Sequence, residues 1–425
     1  MTVLILVVFA LGYFAIAFEH PLKVNKSASA LITGVLCWTI YILFQETEAG
    51  KISVDAQLDH HISGIAAILF FLLGAMTIVE LIDSHDGFDV ITRRIKTTDK
   101  RKLALIVSFT AFFLSAVLDN LTTAIVMVAL VSKLIGDRND RLLFCGLVII
   151  AANAGGAWSP IGDVTTTMLW IAERITTANI ILKLILPSLV CMLVPLLFIL
   201  PRLKGANVRP KEEEPENDKK TSARERNIVF FSGMTIMLLV PVFKTVTHLE
   251  PYMGMLLGVG ILWVITEIVH KKKNDEEKHA LSVAHALRRI DTPSVLFFFG
   301  ILAAVSVLES AGILGRFSLW MDDTIGNIDV ITISTGLASA VVDNVPLMAA
   351  AIGMYPLEQF ATDHYFWEFM AYCAGTGGSI LIIGSAAGVA VMGIEKISFL
   401  WYLKKISLPA LAGYLAGAFV YMAIA

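Results

Sequence analysis

Apolar runs of membrane-spanning length recur along the whole chain, and they limit the possible folds more than any other feature. Of the 425 residues, 56% are hydrophobic and only 16% are charged. About 20 apolar residues in helical form are needed to cross the ~30 Å hydrocarbon core of a bilayer. Single runs of roughly this length cover 2–18, 27–44, 62–82, 179–201, 228–247, 252–270, 293–310 and 399–425. The sequence therefore predicts an all-α, polytopic membrane protein.

Two further apolar runs, 103–135 and 329–356, each carry an Asp-Asn pair near their centre. The motif S-A-V-x-D-N occurs in both runs, and the two pairs are Asp119-Asn120 and Asp343-Asn344. An ionisable residue at membrane depth is costly and usually marks an ion or substrate pathway. Each arm of the first run reaches only ~24 Å at ~1.5 Å per residue, so we interpret both runs as re-entrant hairpins with buried tips. The alternative is a pair of ordinary spans joined by a tight turn at the water interface.

Two other runs, 142–172 and 365–394, are interrupted by glycine, serine and proline. The first contains N-A-G-G-A-W-S-P-I-G-D, and the second contains G-T-G-G-S followed by a further Gly-Ser pair. Backbone groups released by such interruptions need new partners inside a membrane, and a broken helix that lines a cavity provides them. The sequence therefore predicts a broken helix in each run.

The second half of the chain repeats the plan of the first. Asp343 follows Asp119 by 224 positions, and Gly377 follows Gly155 by 222. The predicted units are a first repeat at 1–201, a linker at 202–227 and a second repeat at 228–425. Each repeat has about five crossings, an odd number, so the two halves are expected to be inverted. Inverted repeats with broken helices are typical of secondary transporters.

Orientation follows from the positive charges in the connecting segments. The basic connectors are 84–102, 136–141, 202–227 and 271–292, whereas the segments 45–61, 311–328 and 357–364 are mostly acidic. Short basic loops stay in the cytoplasm, so the linker is expected to face the cytoplasm. The net charge of −3 says nothing about nucleic acid. The sequence has no basic stripe with interleaved aromatic residues, so we expect no nucleic-acid partner. We find no phosphate-binding motif that would make the chain an ATP-driven pump.

The polar residues expected at the membrane midplane carry carboxylate, amide and hydroxyl oxygens. They are Asp119, Asn120, Thr122, Thr123, Asn153, Ser159, Asp163, Asp343, Asn344, Ser379 and Ser385. Hard cations such as Na⁺ take oxygen ligands, whereas three acids without a nearby Lys or Arg do not suit an anionic substrate. Burial favours protonated carboxyl groups, so Na⁺ and protons are expected to compete for the same oxygens. Such competition is sufficient for antiport, and no cofactor is needed.

Asp163 is the strongest candidate for a ligand shared by cation and proton, because it follows a helix break. An equally simple interpretation is that Asp163 caps the half-helix 164–172, which aspartate does readily. The two roles are compatible.

Four motifs together resemble the NhaD-type sodium/proton antiporters of the ion-transporter superfamily. They are S-A-V-L-D-N-L-T-T, N-A-G-G-A-W-S-P-I-G-D-V-T-T, S-A-V-V-D-N and G-T-G-G-S. The resemblance implies a Na⁺(Li⁺)/H⁺ antiporter of the bacterial inner membrane that works at alkaline pH. It also implies a homodimer with a scaffold part and a moving part. It assigns function to Asp119, Asn120, Asn153, Asp163, Asp343, Asn344 and the region of Ser379 and Ser385, with the aspartates and the two hairpin asparagines as Na⁺ ligands.

Two other functions remain open at this point. Carboxylate-carrying members of that superfamily have Ser-Asn-Thr at both hairpin tips, whereas these tips read D-N-L and D-N-V, which favours cation exchange. The main alternative is a sodium-coupled dicarboxylate or arsenite carrier. A membrane-embedded aspartyl protease would gain little from inverted halves, so we do not expect an enzyme.

Overall fold

The computed structural model describes residues 1–92, 95, 97–203, 205, 221–271 and 273–425. Throughout these residues the regular structure is helical, as the sequence predicts. Eight of the helices in this part of the chain are long and apolar enough to cross a membrane. The protein is therefore an all-α, multi-pass membrane protein.

The helices of the first half follow the predicted spans, with short connecting helices between them. They are α1 (Thr2–Ala17), α2 (Glu19–Leu22), α3 (Lys26–Leu43), α4 (Glu48–Ser84), α5 (Asp89–Thr92), α6 (Lys100–Ser115), α7 (Asn120–Leu134), α8 (Arg138–Ala157), α9 (Val164–Ile171) and α10 (Thr177–Ile199). Helices α6 and α7 form the first hairpin, and α8 and α9 form the first broken helix.

The second half has the same order of elements. Its helices are α11 (Ala223–Thr247), α12 (Pro251–Val269), α13 (Asp275–Ala280), α14 (Val283–Arg289), α15 (Thr292–Ser310), α16 (Ile313–Ile325), α17 (Ile328–Ala338), α18 (Asn344–Met354), α19 (Tyr365–Gly377), α20 (Ala386–Glu395), α21 (Phe399–Tyr402) and α22 (Leu408–Ile424). Helices α17 and α18 form the second hairpin, and α19 and α20 form the second broken helix.

Equivalent contacts occur in both halves, which confirms the repeat. Ser115 Oγ donates to Ala152 O over 2.6 Å at the end of α6, and Ser339 Oγ donates to Ala374 O over 2.9 Å at the end of α17. The serines are 224 positions apart and the carbonyls 222, which are the two offsets read from the sequence. The two halves therefore share one plan, each with a hairpin and a broken helix.

A scaffold bundle forms where spans of opposite halves cross. Helix α3 packs along α15, and α4 packs along α12. The crossing of α3 and α15 is tight: the Trp38 indole donates to Ala303 O over 3.0 Å, and a Cβ on Gly34 would lie 2.6 Å from Gly300 O. We call α1, α3, α4, α11, α12 and α15 the scaffold bundle. The hairpins, the broken helices, α10 and α22 form the site bundle.

Two acidic segments that the sequence analysis treats as loops are in fact largely helical. Residues 48–61 form the start of the 37-residue helix α4, and most of 311–328 forms α16. Thr47 begins α4 as its N-cap by accepting a hydrogen bond from Gly50 N over 3.0 Å. Polar residues such as Glu, Lys and Gln form helices well at a water interface, so the absence of an apolar run did not mean a loop.

The helix breaks also begin later than the glycines suggest. Helix α8 continues through Asn153 to Ala157, and α19 continues through Gly377, followed by one break at 378–385 rather than two. The glycines allow close helix contact instead: a Cβ on Gly155 would lie 2.1 Å from Phe112 O. Small residues of this kind let helix backbones approach closely in membranes.

Part of the predicted topology falls outside the described residues. This applies to the basic residues Arg93, Arg94 and Lys96 of the first connector, and to 204 and 206–220 of the linker. The division at 201 and 228 and the cytoplasmic position of the linker therefore stay predictions.

Candidate ion-binding site

Each half-helix of the site bundle begins with a capping side chain. Asp119, Asp163, Asp343 and Ser385 are the N-caps of α7, α9, α18 and α20, respectively. Aspartate and serine are favoured at this position because they accept hydrogen bonds from free backbone N–H groups. The capping interpretation of Asp163 is thus confirmed, and the sequence rule extends to all four half-helices.

The first hairpin tip holds Asp119 firmly. Its Oδ1 accepts a hydrogen bond from Thr122 N over 2.8 Å, and its Oδ2 accepts one from Thr122 Oγ1 over 2.6 Å. Thr122 therefore positions this carboxylate. At the second tip the Asp343 Oδ1 accepts from Val345 N over 3.1 Å. Both tip carboxylates are half-buried.

Asp163 is the most deeply buried of the three aspartates, at 2% exposure. Its Oδ1 accepts from Thr165 N over 3.3 Å, and its Oδ2 accepts from the Asn344 amide over 3.3 Å. In the described part of the chain, none of the three carboxylates forms an ion pair with Lys or Arg. The negative charge at the site is therefore left without a cationic side chain.

In a second set of hydrogen bonds, the first half donates to the second half. Asn120 Nδ2 donates to Asn153 Oδ1 over 3.0 Å, and Asn153 Nδ2 donates to Ser385 Oγ over 3.0 Å. Ser385 Oγ also accepts from Gly388 N over 3.1 Å. The second hairpin tip thus contacts the first break through Asn344, and the second break receives the Asn153 amide of the first half.

The hydroxyl groups of the predicted residues Ser159 and Ser379, which lie in the two breaks, donate hydrogen bonds to backbone carbonyls. Ser159 Oγ donates to Ala116 O over 2.5 Å, and Ser379 Oγ donates to Thr376 O over 2.7 Å. The carbonyl of Ser379 accepts from the Tyr402 hydroxyl over 2.8 Å. Both hydroxyl groups keep a lone pair free to accept, so the prediction that these serines belong to the ion site stays a prediction.

The three carboxylates do not form one compact cluster. Among the described residues, no three Asp, Glu, His or Cys side chains lie close enough to hold a single metal ion. The assignment of Asp119, Asp163 and Asp343 as Na⁺ ligands stays a prediction.

Sequence reasoning missed two residues of this region. Thr166 lies one turn after Asp163, is fully buried and has a hydroxyl that finds no partner within the described residues. Thr123, which the sequence did predict, lies one turn after Asp119. It is also fully buried, and its hydroxyl has no hydrogen-bond partner within the described residues. Gly375 lies against Asp163, since a Cβ there would be 3.2 Å from Asp163 Oδ2. The Thr-Thr pair that follows both Asp119 and Asp163 was a usable signal, whereas the contact of Gly375 with Asp163 left none.

Inverted halves whose hairpins and broken helices meet at a polar, acidic centre define the class of secondary transporters. Comparison with known proteins agrees with this class. The family described as citrate transporter (CitMHS) matches residues 4–368. The fold is shared with the Alcanivorax borkumensis YdaH transporter, with a TM-score of 0.58 and 12% identity over 93% of this chain and 95% of that one.

Sequence relatives narrow the class. Sodium/proton antiporter 1 of Arabidopsis thaliana is 47% identical over 98% of this chain and 71% of its own length. Na(+)/H(+) antiporter NhaD of Vibrio parahaemolyticus is 35% identical over 89% of this chain and 95% of its own length. The chain therefore belongs to the citrate transporter family and to the NhaD-type sodium/proton antiporters, which confirms the resemblance read from its motifs.

Proposed function

We propose that this protein exchanges Na⁺, and also Li⁺, for H⁺, with Asp163 as the carboxylate that binds either the cation or a proton. One observation carries the proposal. Asp163 is buried between the two halves, and its hydrogen-bond partners, a backbone N–H and the Asn344 amide, are neutral. A buried carboxylate without a cationic partner is stable only if it is protonated or binds a cation.

Competition at one carboxyl group is enough to couple the two ions. Burial favours the neutral, protonated form, whereas a bound cation favours the charged form. Because one carboxylate cannot hold both, the site changes sides loaded with Na⁺ or with H⁺. The names of the Arabidopsis and Vibrio relatives, which are sodium/proton antiporters, support this reaction.

The family name raises citrate as a second candidate, and the helix caps argue against it. The N-terminus of a helix attracts anions through its free N–H groups and its dipole. Three of the four half-helices direct these N-termini at their own aspartates, Asp119, Asp163 and Asp343. These positions are already occupied by carboxylates, so a further carboxylate from citrate would meet like charge.

The remaining assignments extend the proposal. Asn120, Asn344, Thr122, Thr123 and Asn153 are proposed to complete or position the ion site. The site bundle is proposed to move against the scaffold bundle, in a homodimer. The expected location, the bacterial inner membrane, stays a prediction because the relatives include plant as well as bacterial proteins.

The direct test uses purified protein in liposomes that contain a pH-sensitive dye and carry an imposed pH gradient. We expect NaCl and LiCl to dissipate the gradient, and KCl and potassium citrate to leave it unchanged, relative to protein-free liposomes. Sodium-dependent citrate uptake without Na⁺-driven proton movement would overturn the proposal in favour of a carboxylate carrier.

A further inference from the structure

The two halves place equivalent residues at two half-sites, and these are chemically different. The charged half-site consists of Asn344, Gly375 and Asp163. The neutral half-site consists of Asn120, Asn153 and Ser385. Each residue of the one corresponds to a residue of the other at the repeat offsets, 224 for the hairpin asparagines and 222 for the rest. The neutral half-site therefore has the Ser385 hydroxyl where the charged half-site has the Asp163 carboxylate. It also has the Asn153 side chain where the charged half-site has Gly375.

The neutral half-site is a closed chain of hydrogen bonds. The Asn153 side chain bridges its neighbours, accepting from Asn120 and donating to Ser385, each over 3.0 Å. Asn153 is fully buried, and the other two members are at most 5% exposed. The NH₂ group of Asn153, which carries a partial positive charge, faces Ser385 Oγ, the capping oxygen of α20. None of the three side chains that form the neutral half-site is a carboxylate.

The charged half-site lacks the bridging side chain. Gly375 stands where Asn153 stands in the other half, and a Cβ there would lie 3.2 Å from Asp163 Oδ2 and 3.3 Å from Ala157 Cβ. Glycine therefore leaves the Oδ2 side of the carboxylate uncovered, where any larger residue would press on it. The Asn344 amide on the same Oδ2 is 3.3 Å away, and turning it over would present its oxygen instead of its nitrogen.

We propose that Gly375 determines how many cations bind and which size fits: one small, dehydrated monovalent cation binds Asp163 Oδ2 beside Gly375. The equivalent position in the neutral half-site is filled by the Asn153 NH₂ group, so each chain binds a single cation. This inference rests on the proposed exchange function and adds to it a stoichiometry of binding and a residue that selects for ion size.

The test compares Gly375→Ala with Gly393→Ala, a glycine of α20 whose added Cβ would meet no atom within 4 Å. The methyl group at position 375 takes up space that the cation needs. We expect the half-saturating Na⁺ concentration to rise at least about tenfold, which corresponds to ~1.4 kcal/mol of binding. The value for Li⁺, a smaller ion, should rise less. Gly393→Ala should keep both wild-type values.

The ratio of the Na⁺ and Li⁺ values separates ion selection from damage to the fold, because misfolding lowers the active fraction without changing this ratio. If the alanine variant does not fold, the binding measurement on the wild type tests the inference without any variant. Binding of radioactive Na⁺ to purified wild-type protein should saturate at one ion per chain.

Two results would overturn the inference while leaving the exchange function intact. One is an unchanged ratio in a folded Gly375→Ala protein. The other is binding of two Na⁺ per chain to the active wild type. A wild type that moves no protons in response to Na⁺ would instead contradict the proposed function itself.

Discussion

Asn344 Nδ2 lies 3.3 Å from Asp163 Oδ2, and this hydrogen bond joins the second hairpin to the first broken helix. The reciprocal bond runs from Asn153 in the first half to Ser385 in the second, over 3.0 Å. Neither half can therefore build the site alone. A change in how the halves meet would act directly on the carboxylate, which is the property that alternating access requires.

Replacing Asp163 by asparagine should abolish exchange without unfolding the protein. The substitution removes both the cation ligand and the proton acceptor but keeps the size of the side chain and its capping oxygen. The rate of Na⁺-driven proton movement in liposomes should fall to that of protein-free vesicles, while thermal stability stays at least equal to that of the wild type.

Asp55→Asn provides the matched control, since it makes the same chemical change at an exposed carboxylate of α4. This variant should keep wild-type exchange. An active Asp163→Asn protein would show that the proton and the cation use other groups.

Removing the Thr122 hydroxyl should weaken the site without abolishing it. Thr122→Val deletes the 2.6 Å hydrogen bond to Asp119 and keeps the shape of the side chain. A hydrogen bond to a charged group contributes about 1.5–3 kcal/mol, so we expect exchange at sub-saturating Na⁺ to fall by about tenfold or more. Thr122→Ser restores the hydroxyl and should recover most of the rate. Equal loss in both variants would mean that the methyl group, rather than the hydrogen bond, matters.

Gly155 should tolerate no side chain. A Cβ would lie 2.1 Å from Phe112 O, which is backbone of the neighbouring helix and has no room to withdraw. We expect Gly155→Ala to lose about 3 kcal/mol or more of stability, at the upper end of overpacking costs, and to give little monodisperse protein on size exclusion. Gly260→Ala, on α12 with open space around it, is the control. Wild-type behaviour of Gly155→Ala would show that α6 and α8 are not packed this closely.

Two buried histidines, His85 and His270, should make stability depend on pH below neutrality. They follow the ends of α4 and α12, their Nε2 atoms are 3.0 Å apart, and their rings stack with centroids 5.0 Å apart. His85 Nδ1 lies 2.6 Å from Leu81 O, and a carbonyl only accepts, so this nitrogen carries the proton. His85 Nε2 is then the acceptor and His270 Nε2 the donor of their shared hydrogen bond.

The sign of the effect follows from the pKa values. Burial lowers the pKa of His270 to about 4 and also lowers the pKa of His85, with His85 and Lys273 acting on His270 in the same direction and Glu225 opposing them. An unfolded histidine titrates near ~6.5, so the unfolded chain binds more protons from there down to the folded pKa. The stability of the folded protein should therefore be constant above about pH 6.5 and should fall as the pH drops below about 6.5.

His270→Gln, which keeps a donor but does not titrate, should make the fall in melting temperature with decreasing pH shallower. His248→Gln, at the exposed end of α11, should leave it unchanged. An identical pH dependence in wild type and His270→Gln would show that the pair does not control it.

The sequence was sufficient for features that depend on local pattern. The repeat, the hairpins and the capping role of Asp163 follow from apolar run lengths and from the chemistry of aspartate. The sequence was insufficient for features that depend on contacts between residues far apart in the chain. From the sequence, Gly155 could either break a helix or allow two helices to pack closely. Only its contact with the Phe112 backbone decides between these possibilities. The contact of Gly375 with Asp163 joins residues of different halves and leaves no local signal.

The most direct test of the central claim is the half-saturating Na⁺ concentration of the wild type, measured in liposomes at several pH values. If Na⁺ and a proton compete for the Asp163 carboxyl group, this concentration should rise up to about tenfold for each unit by which the pH falls, for each shared proton. At high pH, where the carboxylate is deprotonated, it should level off. A half-saturating concentration that stays constant across the whole pH range would contradict competition at Asp163 and assign the proton to another part of the protein.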